Sequence, residues 1–421
     1  TAQVDETILE DNKLNFNFKI IFSEKFYVER INILGNFNTI EEVIRNKLIV
    51  DEGDPFNELL FEKSIDNIRS TGFFKSVKTD ISNGSSQNLK VVNVSVEEKP
   101  TGEISLGAGV GTAGSTLGGG IVEKNFLGKG INLNTNLEIS EETVKGQFIY
   151  SKPNFNYSDN TLFTSISSVT TDYLTDFGYK VENIGFSIGT AFEQKENLFF
   201  SPEINIAFED LETNSTASNN LKKQEGSYDD LYFNYSLDYD MRDSRFRPTS
   251  GNKVSFYQEL PFVSNTAELT NIFIFTQYKK LNDASNMIGK ASFYAKSVNT
   301  IKDSDVRISK RAQVPYNRLR GFQRGKVGPV DSTDYIGGNY VTTLNFSTNL
   351  PGILPTVEFA NVWGVDYDSA VDDSNSIRSS TGIGLDLLTP IGPLNFSLSQ
   401  PITKKSSDKT ETFRFNLGTT F

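Results

Sequence analysis

Residues 228–240 read YDDLYFNYSLDYD and alternate between a bulky apolar face and a polar face. The first face carries Leu231, Phe233, Tyr235, Leu237 and Tyr239. The second carries Asn234, Ser236, Asp238 and Asp240. Because successive side chains of a strand point to opposite faces, this pattern predicts a strand with one face for lipid and one for water. The C-terminal segment repeats the pattern with Phe413, Phe415, Leu417 and Phe421.

Similar alternating segments, separated by turn residues, recur along the chain from residue 101 onwards. We count sixteen, at 103–111, 115–124, 130–140, 144–151, 160–170, 180–192, 198–209, 228–240, 251–260, 269–279, 286–298, 336–349, 355–364, 380–388, 393–400 and 411–420. A soluble sandwich also alternates, but closing one sheet of this size removes both of its edges. An even strand number and a terminal Phe fit a bacterial outer-membrane barrel. This pattern alone does not distinguish such a barrel from a plain diffusion porin.

Composition limits the function. The chain has 421 residues, a formal net charge of -12 and a pI near 4.8, which argue against binding nucleic acid through its phosphates. It contains no Cys and no His, which excludes thiolate nucleophiles, His-based triads and most transition-metal sites. We therefore expect no enzyme, no cofactor and no metal. The 12% aromatic content suits the aromatic girdles of a membrane barrel. The start at Thr1, without Met, suggests a mature or trimmed chain.

The organisation changes near Pro100, and the preceding residues mix strand and helix signals. A strand from Val28 is followed by a helix through Ile40 to Leu48, for which Thr39 and Glu42 have the spacing of a capping box. A second helix is expected at about 57–70, ending before a glycine, and two strands at 74–82 and 89–97. The predicted order is β-α-α-β-β, an α+β domain at 25–100.

This upstream sequence resembles a polypeptide-transport-associated (POTRA) repeat. The resemblance rests on INILGNFNTIEEVIRNKLIVDEGDPFN at 31–57 and SIDNIRSTGFFKSV at 64–77. Residues 14–22, LNFNFKIIF, resemble the last strand of a preceding repeat, so 1–24 is expected to be the end of a truncated one. POTRA repeats bind extended chains by adding a strand at a sheet edge, where backbone hydrogen bonds supply the affinity.

The whole chain resembles the BamA family of outer-membrane β-barrel insertases, and most closely in its C-terminal part. There the sequence is SNSIRSSTGIGLDLLTPIGPLNFSLSQPITKKSSDKTETFRFNLGTTF, at 374–421. The resemblance implies a membrane all-β fold, a 16-stranded antiparallel transmembrane β-barrel at 101–421 preceded by the POTRA domain. It also implies a location in the bacterial outer membrane, with the POTRA domain in the periplasm.

The same resemblance implies a function. A BamA-type assembly factor folds and inserts β-barrel proteins, and its expected partners are unfolded barrel clients, accessory lipoproteins that bind the POTRA domain, and outer-membrane lipid. The alternative is a TamA-like or two-partner-secretion-type polypeptide translocator with the same barrel. An outer-membrane lipase is disfavoured because no histidine is present to activate a serine.

One loop departs from a plain barrel. Residues 314–329 read VPYNRLRGFQRGKVGP, and the run Leu319, Arg320, Gly321, Phe322 predicts an ordered, inward-folded loop within 299–335. The resemblance implies that Arg320 points into the lumen and pairs with Glu358, which would pin the loop to the wall. In a transporter the same arginine would anchor a plug. We expect Arg318 and Arg324 to be surface charges.

Glycines mark a lateral seam between the first and last barrel strands. Gly107, Gly109 and Gly111 recur at a period of two, so one face of the first strand lacks side chains and its pairing is expected to be weak. Gly418 and Phe421 stand on the other side of that seam. A seam with few hydrogen bonds can part and expose an edge for an incoming strand. The alternative is that these glycines serve barrel curvature.

Overall fold

A computed structural model describes residues 2–9, 13–20, 25–282, 287–302, 304–349, 353–367, 371–389 and 392–418. The chain divides into two compact units, residues 1–102 with 123–131, and residues 103–122 with 132–421. None of the helices in the described part is long and apolar enough to cross a membrane. Within the same residues, no group of three or more acidic side chains is arranged to hold a metal ion.

The first unit contains the predicted α+β domain. Its strands are Tyr27–Leu34, Phe74–Asn83 and Leu89–Glu98, and its helices are Glu41–Arg45 and Glu58–Ser70. The strand Leu89–Glu98 lies in the middle, parallel to Tyr27–Leu34 and antiparallel to Phe74–Asn83. The predicted β-α-α-β-β order is confirmed. A separate hairpin of Ala2–Leu9 and Lys13–Ile20 precedes this domain, where the end of an earlier repeat is expected.

Both helices pack one apolar face on this sheet. Ile44 from the first helix and Phe61, Ile65 and Ile68 from the second join the sheet residues in a single buried cluster. Asn57 caps the second helix by accepting a hydrogen bond from the backbone N–H of Leu60 (3.2 Å).

The capping box predicted at Thr39 and Glu42 is wrong. The first helix begins after Ile40, which makes no side-chain capping bond. The backbone N–H of Thr39 instead donates to Glu98 Oε1 (2.6 Å), and its hydroxyl accepts from Asn125 Nδ2 (2.8 Å). Glu98 Oε2 also accepts the backbone N–H of Asn38 (2.9 Å). A carboxylate from the end of the central strand thus takes the place expected for the helix's own glutamate.

The second unit is the barrel, a closed antiparallel sheet in which the last strand returns to the first. The predicted sixteen strands are confirmed. They are Gly102–Gly111, Gly114–Phe126, Ile131–Ser140, Thr143–Lys152, Thr161–Tyr173, Tyr179–Lys195, Leu198–Thr213, Gly226–Asp240, Gly251–Val263, Glu268–Asn282, Met287–Thr300, Tyr340–Asn349, Leu354–Trp363, Arg378–Thr389, Gly392–Thr403 and Phe413–Gly418.

Alternation along these strands separates an apolar outer face from a polar lumen. In the strand Leu198–Thr213, Ile204, Ile206 and Phe208 are exposed on the outside. In the next strand, Asp230 and Asn234 are almost fully buried on the inside. An exposed apolar row is stable only against lipid, so the barrel has the surface of a membrane-spanning protein.

Candidate functional site

The segment between the strands Met287–Thr300 and Tyr340–Asn349 contains the Arg-Gly-Phe motif and packs against inward-facing residues. A short 3-10 helix, Tyr316–Arg318, precedes the motif. Leu319 and Phe322 are only 2% and 1% exposed. They form a buried cluster with loop residues and with side chains of the barrel wall, among them Val314, Val327, Val341 and Val362. The structure thus places the predicted motif in an ordered loop, which we call the Arg loop (described at residues 301–302 and 304–339).

Arg320 meets Glu358, the partner that the family resemblance implies. One carboxylate oxygen of Glu358 accepts the backbone N–H of Arg320, and the other accepts its guanidinium Nη1. Glu358 is 1% exposed, whereas the Arg320 side chain keeps about a third of its surface accessible. The carboxylate therefore does not form a bidentate pair with the guanidinium. It holds backbone and side chain together, which fixes the direction in which the chain leaves Arg320.

Gly321 makes the next turn possible. Its φ is +86°, a region that residues with a Cβ adopt only with strain. A Cβ at this position would also lie 3.3 Å from Pro401 Cδ in the barrel wall. Glycine thus lets the loop backbone approach the wall closely enough for Gly321 and Phe322 to pair with Glu411 and Thr410.

That pairing ties the Arg loop to the segment entering the last barrel strand, and Arg414 strengthens it. Arg414 Nη1 donates to the carbonyl of Tyr316 (2.7 Å), while Nη2 donates to the carbonyls of Leu319 (3.2 Å) and Phe322. Its guanidinium lies 3.6 Å from the centroid of the Tyr316 ring. Burial raises the pKa of Tyr316 to about 12, so its neutral hydroxyl donates to Glu411 (2.9 Å) across the physiological range.

Sequence reasoning missed Arg414. Its inward direction was visible in the sequence, because Phe413 and Phe415 on either side belong to the apolar face and leave Arg414 on the lumen face. The loop is therefore held from two sides, by Glu358 on the strand Leu354–Trp363 and by Arg414 on the last strand.

A second buried arginine, also missed, holds the start of the Arg loop. Arg307 is 1% exposed and lies among carboxylates of three barrel strands. Its Nε donates to Glu268 (2.9 Å), its Nη2 to Asp230 (2.6 Å), and its Nη1 lies 3.5 Å from Glu209. The sequence signal for such an arginine is the acidic residues on the inward faces of the strands, because a buried carboxylate requires a cationic or hydrogen-bonding partner.

Two other loop arginines differ from each other. Arg318, expected at the surface, is half-buried; it donates to Ser292 (3.1 Å) and lies 5.0 Å from the Tyr294 ring centroid. The prediction for Arg318 is therefore wrong, because the loop folds inward and brings it against the wall.

Arg324 is exposed as expected, and its guanidinium forms an ion pair with Glu142 (3.1 Å). Burial raises the pKa of Glu142, and the Arg324 charge partly offsets that effect.

The seam between the first and last strands is described up to Gly418, and beside it the backbone N–H of Thr112 donates to the carbonyl of Phe415 (3.0 Å). Within the described residues the two strands pair at Gly109–Gly418, Val110–Leu417 and Gly111–Asn416. The rest of the first strand, including Gly107, has no described partner on this side. Phe421 lies outside the described residues.

The seam glycines allow the two backbones to approach. A Cβ at Gly111 would lie 2.6 Å from the carbonyl oxygen of Phe415, and one at Gly418 would lie 2.1 Å from that of Ala108. Gly418 also has a φ of +106°. Larger residues at these two positions would separate the strands, so glycine is needed for the pairing at Gly109–Gly418, Val110–Leu417 and Gly111–Asn416.

Comparison with known proteins decides the family. A family model described as "Omp85 superfamily domain" matches residues 125–421, and one described as "Surface antigen variable number repeat", a POTRA model, matches residues 26–99. The chain belongs to the Omp85 superfamily. Its membership confirms the predicted resemblance and the predicted location in the bacterial outer membrane, with a periplasmic POTRA domain.

Individual members of the Omp85 superfamily are similar at low identity. The outer membrane protein assembly factors BamA of Neorickettsia risticii and Neisseria meningitidis are each 23% identical over 98% of this chain, and over 57% and 59% of their own lengths. The chain thus spans a little over half the length of these relatives. BamA from Haemophilus ducreyi lacking POTRA domains 1–3 has the same fold, with a TM-score of 0.84 and 22% identity over 100% of this chain and 90% of that one.

Proposed function

We propose that this chain is an assembly factor that folds β-barrel proteins and inserts them into the outer membrane. The observation that carries the proposal is the glycine-rich seam, where the described residues of the last strand, up to Gly418, pair with Gly109, Val110 and Gly111 of the first strand. An unpaired edge binds another strand through its free N–H and C=O groups, and in a membrane this pairing keeps backbone polar groups out of hydrocarbon. The names of the similar BamA proteins support the same function.

Insertion of a client proceeds by strand pairing and requires no covalent step. When the seam parts, a client strand pairs with the exposed edge of the first strand. Further client strands add to it, and the completed client separates when its own first and last strands meet. Each exchange replaces one set of backbone hydrogen bonds with another, so the net free-energy change per step is small. The assembly factor therefore lowers the barrier to insertion without a cofactor.

The POTRA domain offers the first binding site for such a client. Within its described sheet, the strands Tyr27–Leu34 and Phe74–Asn83 each have one side without a neighbouring strand. An extended client segment adds to such an edge through backbone bonds and with little sequence demand. Accessory lipoproteins of an assembly complex would bind the same domain.

The Arg loop has the contacts needed to hold the seam strand in place. Arg414 belongs to the last strand, and its bonds to three loop carbonyls mean that the strand and the loop move together or separate at a cost. The pair of Arg320 and Glu358 fixes the other side of the loop to a strand away from the seam. The loop thus spans the wall from a fixed strand to the movable one.

Reconstitution of the full chain in liposomes with an unfolded barrel client tests this function. We expect faster client folding with the wild type, and loss of that acceleration when a disulfide between Val110→Cys and Leu417→Cys locks the seam. The chain has no other cysteine. Ser165→Cys with Ser187→Cys is the matched control, because these hydroxyls lie 2.8 Å apart across two fully paired strands.

The alternative is a polypeptide translocator with the same barrel. The fold of CdiB from Acinetobacter baumannii is also similar, with a TM-score of 0.53 at 11% identity over 99% of this chain and 78% of that one. No acceleration of client folding, together with a large open conductance, would contradict the assembly function and favour translocation.

A further inference from the structure

The lipid-facing surface of the barrel contains a concave groove. It has a volume of about 670 Å³ and crosses five strands, from Glu268–Asn282 to Arg378–Thr389. Its floor is low because Gly289 and Ala291 stand two residues apart on the same face of the strand Met287–Thr300. Its walls are apolar and exposed, and consist of Leu281, Phe346, Val357 and Ile383.

The groove faces the membrane and not the lumen. Phe346 and Val357 are paired across two strands and therefore point to the same side. Their neighbours Asn345 and Glu358 point to the other side, where Asn345 Nδ2 donates to the carbonyl of Arg318 (2.6 Å) and Glu358 binds Arg320. Apolar residues on the outer side of a membrane barrel contact acyl chains, so the occupant of this groove is hydrocarbon.

A cation stands at one end of the groove. Lys279 lies directly across from Gly289, is exposed, and makes no ion pair within the residues that the structure describes. It is near the end of its strand remote from the Arg loop. Because barrel strands alternate in direction, this is the end at which the first strand follows the POTRA domain, which is the periplasmic side.

We propose that the groove binds one phospholipid of the periplasmic leaflet, with an acyl chain over Gly289 and Ala291 and the phosphate on Lys279. The charge of the lysine complements the phosphate, and its position near the periplasmic end of the strand Glu268–Asn282 suits contact with a headgroup. The recess is apolar and faces the membrane interior, so filling it with water would cost free energy. An acyl chain fills it without that cost. The bound lipid backs the same wall whose inner face holds Asn345 and Glu358.

The test is native mass spectrometry of the full chain, extracted in mild detergent from liposomes of phosphatidylglycerol and phosphatidylethanolamine. We expect the wild type to retain one phospholipid. Ala291→Leu fills the recess and is expected to lower retention about tenfold, equivalent to the loss of roughly two buried methylene groups. Ala291 is chosen because a Cβ at Gly289 would lie 3.0 Å from Leu281 Cδ1 and displace that side chain.

Matched variants separate the groove from general lipid contact. Ser168→Leu adds the same side chain to an exposed position on the outer face of another strand and is expected to leave retention unchanged. Lys279→Gln is expected to lower retention about threefold, the size of an exposed ion pair. Lys195→Gln changes an exposed lysine at the periplasmic end of another strand and serves as its control.

No retained lipid on the wild type, or equal retention by the Ala291→Leu and Ser168→Leu variants, would overturn the proposed site. Equal retention by Lys279→Gln and Lys195→Gln would overturn the phosphate contact. None of these measurements uses a client protein, so they stand apart from the test of barrel assembly.

Discussion

At the scale of single residues, Glu358 has two tasks. Its carboxylate holds both the backbone and the guanidinium of Arg320. Glu358→Gln keeps the shape but removes the charge, and its single amide oxygen can accept from only one of the two Arg320 groups, so the other group meets a donor. We expect amide hydrogen exchange at Arg320 to become about tenfold faster, which corresponds to ~1.4 kcal/mol of local opening. Exposed Glu196→Gln is the control, and an unchanged rate in the Glu358 variant would show that the pair does not hold the loop.

Arg414 is expected to act on a different part of the same loop. Arg414→Gln removes the bonds to three carbonyls, so the amides of the short ladder at 321–323 and 409–411 should exchange faster together. The Arg320 amide should change less, because Glu358 still holds it. Arg414→Lys reaches fewer carbonyls at once and should be intermediate. If exchange rises at Arg320 alone, the loop is not tied to the last strand through Arg414.

At the scale of elements, Glu98 joins the end of a strand to the start of a helix. Burial of Glu98 acts against its charge, but hydrogen bonds from Thr39 and Asn38 outweigh that effect and hold the pKa of this carboxyl below its ordinary value of 4.5. A carboxyl whose pKa falls on folding stabilises the folded state at pH above its unfolded value. This stabilisation is lost as the pH falls through the lower, folded value.

Because the pKa of Glu98 is lowered on folding, the POTRA domain should lose part of its local stability in acid. In the wild type, the protection of the Asn38 and Thr39 amides against hydrogen exchange should decline as the pH is lowered below about 4.5, the ordinary value for this carboxyl. In Glu98→Gln it should be about fivefold lower at neutral pH and should lose that dependence, since a partly exposed charged acceptor contributes modestly. Glu97→Gln, which breaks an exposed pair with Lys75, is the control. Equal protection in the two variants would contradict the role of Glu98.

For the whole molecule, the sequence predicts elements that follow a local pattern, but it does not predict contacts between residues far apart in the chain. The sixteen strands were predictable because a period of two is visible within any ten residues. The contacts of Thr39 were not, because Glu98 reaches it from 59 positions away and outcompetes the nearby Glu42. Arg414 and Arg307 were missed for the same reason, since their partners depend on how strands are placed around a closed barrel.

The family resemblance supplied what spacing did not. Arg320 and Glu358 are 38 residues apart and no local periodicity connects them, so their pairing was expected only from the resemblance. The resemblance did not foresee that the carboxylate would also accept the backbone N–H. That detail depends on how the loop backbone at Arg320 is placed against the strand that carries Glu358.

Barrel assembly through the seam requires that the edge of the first strand, once the seam parts, receives an incoming client strand. The most direct test is disulfide crosslinking between single cysteines at Ile104, Ser105 or Leu106 and a cysteine moved along the terminal strand of a client halted during insertion. We expect crosslinks in one fixed register, with each two-residue step on the client matched by a two-residue step on this edge. Ser165→Cys, in a strand paired on both sides, should not crosslink. Crosslinks that are absent from the edge, or equally strong at Ser165, would contradict insertion through the seam.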